Sequence, residues 1–269
     1  MMWLIKNNSF LEYYTFMTLT GSVQNFLRRV APKRFYCEDA LITTHTHDFV
    51  DDPDFRKAYS RGLKASGGRD LHNQWRVYIA LWIARMCSKL EGDFIECGVN
   101  YGFTSSAIME HLDWDKLGKR FWLVDSFAGT DEKQATAEEK EIGAIERNEL
   151  SKRVGFYNSS GERCRQNFSQ WKNAMVVQGW IPDCLSMVTA SKIAFMHIDL
   201  NSAAPEIQTF RYFLPKLSPG AFILLDDYAY TGFGTTTYAA WNKLGEELNF
   251  EVLALPTGQG LVHILAKRN

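Results

Sequence analysis

Phe94-Ile95-Glu96-Cys97-Gly98-Val99-Asn100-Tyr101-Gly102 is an apolar run of strand length that ends in an acid and a glycine turn. A helix is expected from about Thr104. Glycine lets the chain turn sharply and lets a ligand approach the backbone. The free N–H groups that open the next helix suit a carboxylate. A plain βα turn has the same spacing, so the motif needs support from further along the chain.

That support comes downstream. Arg120-Phe121-Trp122-Leu123-Val124-Asp125 reads as a second strand, Ala174-Met175-Val176-Val177-Gln178 as a third and Ile193-Ala194-Phe195-Met196-His197-Ile198-Asp199 as a fourth. Ala221-Phe222-Ile223-Leu224-Leu225-Asp226-Asp227 reads as a fifth, and 251–255 and 261–266 as two last strands. Helices are expected over 162–171, after Ser202 as N-cap with Pro205 in the first turn, and over 236–248. Ser218-Pro219-Gly220 is read as the end of the helix that Ser202 starts. Strands that are nearly all apolar are buried on both faces, as in parallel sheets. Alternation with helices makes the fold α/β, a Rossmann-like doubly wound sheet. Ligands in such sheets bind beyond the C-terminal strand ends. Glu96, Gly98, Asp125, Gln178, Asp199 and Asp226 are therefore expected to converge.

Upstream, 71–90 reads as a helix whose apolar face carries Trp75, Tyr78, Ile79, Trp82 and Met86. Residues 1–70 read as short helices and loops that extend the core domain of 71–269, with aromatics Phe10, Tyr13, Tyr14 and Phe16. Their aromatic character offers a surface for homo-oligomer formation. Residues 131–152 are charged, lack a clean apolar stripe and read as a mobile insertion. Lys and Arg number 30 against 31 Asp and Glu, so no global basic field draws nucleic acid or acidic lipid. Five widely spaced cysteines without a CxxC pair argue for reduced thiols in a cytoplasmic protein rather than disulfides or zinc. No apolar stretch approaches the roughly 20 residues of a membrane helix.

The strand ends carry the chemistry. Asp125 is placed to accept the hydroxyl protons of a ribose, which suits either a nicotinamide or an S-adenosylmethionine site. Asp199, Asp226 and Asp227 are oxygen donors suited to Mg²⁺, which would acidify a substrate hydroxyl. Hydride transfer has no need of that cluster, although capping and ion pairing are alternative uses for the same acids. His197 lies two residues before Asp199 on the same sheet face and is a candidate base, or else a hydrogen-bonded wall residue. His45 and His47 read as a polar loop, Cys97 as a core residue, and Trp75, Trp82 and Trp180 as core aromatics.

The blocks GDFIECGVNYGFTSS (92–106), RFWLVDSFAGTD (120–131), VVQGWIPDCL (176–185), KIAFMHIDLN (192–201) and LSPGAFILLDDYAYTG (217–232) resemble, in this order, the macrocin O-methyltransferase family. The resemblance implies a class I methyltransferase with a seven-stranded sheet, its last strand antiparallel. It implies S-adenosylmethionine as donor, with the methionine part by Glu96, Gly98 and the turn through Tyr101 and Thr104 to Ser105. It places ribose on Asp125, the nucleoside beside Ser126 and Phe127, and adenine near Gln178, Gly179 and Trp180. It implies Mg²⁺ on Asp199, Asp226 and Asp227, Asp199 as the base, and a hydroxyl of a sugar or small molecule as acceptor. Where the family reads LDGDLYEST this chain reads IDLNSAAPE, with Asn201 in place of the second acid. Two other readings stay open: a nicotinamide-dependent oxidoreductase, against which the first turn lacks a full GxGxxG, and a non-catalytic domain that keeps the donor fold as an interaction surface.

Overall fold

The computed structural model describes residues 35–230 and 235–265. The aromatics at positions 10–16 and the final residue of the 261–266 strand lie outside them. The described chain opens with a hairpin, β1 (Tyr36–Glu38) and β2 (Leu41–Thr43), where short helices and loops were expected. Helix α1 (Pro53–Ala65) follows, with Pro53 in its first turn and the Asp52 carboxylate accepting from the Phe55 N–H at 2.9 Å. Its buried residues Phe55, Ala58, Tyr59, Gly62 and Ala65 form one helical stripe.

Helix α2 (Gln74–Cys87) lies where expected, but its buried face is a different one. Val77, Ala80, Leu81, Ile83, Ala84 and Cys87 are buried, whereas Trp82 is 44% exposed. Small side chains let this helix come close to the sheet. The bulky aromatics turn sideways, Tyr78 stacking on Phe49 with centroids 4.1 Å apart and Trp75 meeting Phe49 edge-on.

The strands fall where their apolar runs predict: β3 (Asp93–Cys97), β4 (Phe121–Asp125), β5 (Ala174–Gln178), β6 (Ile193–Ile198), β7 (Leu217–Leu225), β8 (Leu253–Ala254) and β9 (Gly260–His263). The helices between them are α3 (Phe103–His111), α4 (Ala137–Glu141), α5 (Ala144–Arg153), α6 (Gly161–Phe168), α7 (Ala203–Phe213) and α8 (Thr236–Leu248). Residues 131–152 thus hold a short helix and most of a longer one. Ser218-Pro219-Gly220 lies inside β7 instead of ending α7, which stops at Phe213. The Ser218 hydroxyl donates to the Glu91 carbonyl, tying the start of that strand to the loop before β3.

The sheet has seven strands in the order β5-β4-β3-β6-β7-β9-β8, parallel from β5 to β7, with the last strand β9 antiparallel to both its neighbours. Every residue of the central strand β6 is buried. One face packs Phe94, Phe121, Phe195 and Leu224 against α1, α2, α3 and α6. The other packs Ile95, Met196, Ile198 and Ile223 against α7 and α8. All five cysteines are buried within these layers or the hairpin. The chain runs outward from β3 through β4 to β5, then returns to place β6 on the other side of β3. The crevice at that reversal is where a doubly wound sheet takes its ligand. Among the described residues no helix is long and apolar enough to cross a membrane.

Candidate active site

Pairing of Asp125 with Gln178, Cys97 with Val124 and Ile198, and Ile198 with Leu225 puts the predicted site residues on one rim of the sheet. The tightest joint there is Gly98. Its φ is +93°, and a Cβ would sit 1.7 Å from the Asp199 carbonyl oxygen. The Asp199 N–H donates to the Cys97 carbonyl at 2.8 Å, so the turns after β3 and β6 lie in direct contact. Only a residue without a side chain fits this approach.

A cavity of about 540 Å³ opens over the rim. Of the predicted residues, Glu96, Gly98, Tyr101, Thr104, Asp125, Ser126, Gly179, Trp180, Asp199, Asp226 and Asp227 line it. Four do not. Ser105 and Phe127 are buried behind the wall, His197 is buried beneath it, and Gln178 is exposed beside Gly161. Trp180, expected in the core, is 40% exposed at the cavity edge.

At one end of the cavity Asp125 braces the glycine turn. Its Oδ2 accepts from the Asn100 N–H at 2.7 Å and its Oδ1 from the Phe127 N–H at 2.6 Å. A carboxylate has about four acceptor positions, so these two bonds leave it capacity for a ligand. Burial raises its pKa, opposed by the Asn100 and Phe127 N–H donors. Asn100 in turn holds the segment after α5. Its Oδ1 accepts from the Asn158 N–H at 2.7 Å, its Nδ2 donates to the Phe156 carbonyl, and the Tyr101 hydroxyl donates to the Gly155 carbonyl. Glu96 stands at the cavity wall with Oε2 buried and without a partner, as is the Ser105 hydroxyl behind it. A buried acceptor left unpaired is costly unless a ligand supplies the donor. The ammonium of an amino-acid-like donor would do so.

At the other end lie the acids. One oxygen each of Asp199, Asp226 and Asp227 falls within 4.8 Å of the others. Burial, with Asp226 and Asp227 beside it, pushes the Asp199 carboxyl well above its ordinary range. Burial likewise raises Asp227 to about 6 against the pull of Arg76. Asp226 goes the other way: burial would raise it, but Arg76 and His197 hold it well below the usual carboxylate range. Crowded oxygen donors of this kind fit a hard divalent cation, which would relieve their repulsion.

His197 sits between the two ends. Its Nδ1 lies 2.8 Å from Glu96 Oε1 and its Nε2 3.4 Å from Asp226 Oδ1. Burial would lower its pKa, but hydrogen bonds to Asp226 and Glu96 and their charges push it up to about 10. Each ring nitrogen thus faces a carboxylate, and the ring ties Glu96 to Asp226.

Residue-by-residue reading of the sequence missed Arg76, Asp39 and Gln259. Arg76, buried on α2, donates through Nη1 to Asp226 Oδ2 at 2.9 Å and to Asp227 Oδ1 at 3.1 Å, and its Nε pairs with Asp39. Gln259 Nε2 donates to Asp226 Oδ1 at 3.0 Å. The available signal was an arginine one turn before Ala80 and two before Ala84, in a stripe of small residues. A charge there demands a buried partner.

The macrocin O-methyltransferase (TylF) family profile matches residues 80–249, more than half of the chain and all of the strands that form this rim. The chain belongs to the macrocin O-methyltransferase family. A 4'-O-methyltransferase of Streptomyces olivaceus, named for 8-demethyl-8-(2,3-dimethoxy-alpha-L-rhamnosyl)-tetracenomycin-C, is 28% identical over 147 residues, 51% of this chain and 53% of the relative. The mycinamicin III 3''-O-methyltransferase of Micromonospora griseorubida is 25% identical over 146 residues, 51% and 55% of the two chains. The chain thus spans about half the length of the curated relatives it matches. Among solved structures, the O-methyltransferase NovP superposes with a TM-score of 0.62 at 17% identity, covering 77% of this chain and 88% of that one. At that identity the likeness shows the class I fold that this member of the macrocin O-methyltransferase family shares.

Proposed function

We propose that the chain transfers a methyl group from S-adenosylmethionine to a hydroxyl of a sugar, carried on a small molecule, with a divalent cation such as Mg²⁺ at the acidic end of the cavity. One observation carries this reading: a single cavity joins an unpartnered buried Glu96 oxygen and Asp125 at one end to three clustered carboxylates at the other. The family match supports methyl transfer over the nicotinamide alternative. The rhamnosyl group in the name of the Streptomyces olivaceus relative supports a sugar hydroxyl as acceptor.

In this reading Glu96 Oε2 takes the donor's ammonium and the free acceptor positions of Asp125 take the ribose hydroxyls. The sulfonium is already an activated leaving group, so the protein's main work is to hold the acceptor oxygen in line with the methyl carbon. The oxygen's lone pair forms the new C–O bond as the C–S bond breaks, and the sulfonium becomes a neutral thioether. Asp199 receives the hydroxyl proton on its second oxygen, because its Oδ1 accepts from Asn201 Nδ2 at 2.9 Å. Asp199, Asp226 and Asp227 would hold the cation, which when bound lowers the pKa of the acceptor hydroxyl. His197 faces Glu96 and Asp226 with its two ring nitrogens and does not line the cavity, which favours Asp199 as the base.

Calorimetry with S-adenosylhomocysteine and with NAD tests the donor; binding of NAD alone would sink the proposal. Asp226→Ala and Asp227→Ala are expected to leave S-adenosylhomocysteine binding within a few fold of wild type and to reduce metal-dependent turnover on a rhamnosylated acceptor panel by on the order of 100-fold. Turnover unchanged by both substitutions and by chelation would remove the metal from the mechanism.

A further inference from the structure

The carboxylate cluster that the proposed function reserves for a metal already grips a cation. Arg76 reaches it from α2, 150 positions before Asp226, and its side chain is 8% exposed. Nη1 alone faces three acceptors: the Asp226 carbonyl at 2.6 Å, Asp226 Oδ2 at 2.9 Å and Asp227 Oδ1 at 3.1 Å. A guanidinium does not lose its charge in a protein, so this positive charge is permanent. Asp226 is committed further, since its Oδ1 accepts from Gln259 and faces His197. Two of the three acids that a divalent ion would use are therefore already shared with Arg76. A second cation on the same two carboxylates must share their negative charge with the first and bear its repulsion. The Nε bond to Asp39 anchors the guanidinium from outside the cluster, so Arg76 stays beside the acids.

We infer that Arg76 competes with a divalent cation for Asp226 and Asp227, and so sets how tightly this site holds a metal. The inference rests on the metal reading of Asp199, Asp226 and Asp227 above.

Mn²⁺ binding to the full chain, read from the electron paramagnetic resonance of the free ion, tests it without turnover. Wild type is expected to bind with a dissociation constant on the order of millimolar, the weak end of oxygen-ligand sites. Arg76→Gln is expected to bind about ten-fold more tightly or better, because a charge a few ångströms away has gone. Arg76→Lys, which keeps the charge, should stay near wild type. Equal or weaker binding by Arg76→Gln overturns the proposal, as does a lysine variant that gains as much as the glutamine variant. Micromolar binding by wild type overturns it too, an arm that needs no variant to fold. Asp227→Asn separates the two levels. If wild-type Mn²⁺ binding survives unchanged in that variant, the metal reading itself falls. If Asp227→Asn weakens binding while Arg76→Gln does not tighten it, only the role of Arg76 falls. No Mn²⁺ binding by either wild type or Arg76→Gln overturns both.

Discussion

Gly98 shows how much of a site one residue can carry. It follows an apolar strand in the sequence, which marks a turn, and the resemblance assigned it to the donor cradle. The coordinates add a mechanical reason. The backbone of Asp199 occupies the space where a Cβ would be, and φ lies at +93°. Gly98→Ala is expected to cost on the order of 4 kcal/mol or to prevent folding, since it combines overpacking with a strained φ. A urea melt within 1 kcal/mol of wild type, a threshold set by the roughly 1 kcal/mol typical of point substitutions, would show that the two turns can part. Arg76 is the opposite case at this scale. Its partners are distant in sequence, and nothing in local spacing points from α2 to the end of β7. Strand-end acids were legible because the sheet's periodicity places them; a charge crossing from a helix to a strand end is set by tertiary contact alone.

Elements were read well where burial on both faces makes a strand almost wholly apolar, and less well where packing distance decides. The face of α2 is an example. Counting bulky side chains pointed to Trp75 and Trp82, whereas close approach to the sheet selects Ala80, Ala84 and Cys87. Close approach also explains Gly62 on α1, where a Cβ would meet the Phe103 ring of α3 at 2.6 Å. Ser202 was rightly placed at the N-cap of α7, yet its side chain makes no capping bond. Glu139 of α4 takes that role from outside, accepting from the Ala203 N–H at 2.9 Å while also closing the capping box of its own helix with Thr136. Glu139→Ala is expected to cost about 1–2 kcal/mol, the usual worth of a lost cap. Amide exchange should quicken over 136–141 and 203–206 and stay unchanged in the sheet. Unchanged exchange at Ala203 would show that the cross-segment cap is not used in solution.

For the whole molecule, the pH dependence of stability has one clear contributor away from the site. Glu206 is buried under α8, its Oε2 accepting from Trp241 Nε1 at 2.8 Å. Burial, helped by the charges of Asp227 and Glu139, raises its pKa from 4.5 to about 8 despite the Trp241 hydrogen bond. The folded chain therefore keeps a proton that the unfolded chain releases near pH 4.5. This group's stabilising contribution is complete below pH 4.5 and falls as pH rises to about 8. The loss amounts to on the order of a few kcal/mol. Glu206→Gln keeps an acceptor for Trp241 and removes the titration, so urea melts should show it more stable than wild type at pH 8 and less pH-dependent between 5 and 8. Parallel curves for the two chains would remove Glu206 from the account. The shut-in cysteines lead elsewhere. With each sulfur enclosed, and ionisation suppressed by burial at Cys87, Cys97, Cys164 and Cys184, an alkylating dye has nothing to attack until the packing opens. Labelling then acts as a clock for breathing motions, and occupancy of the crevice above Cys97 would slow that one clock more than the others.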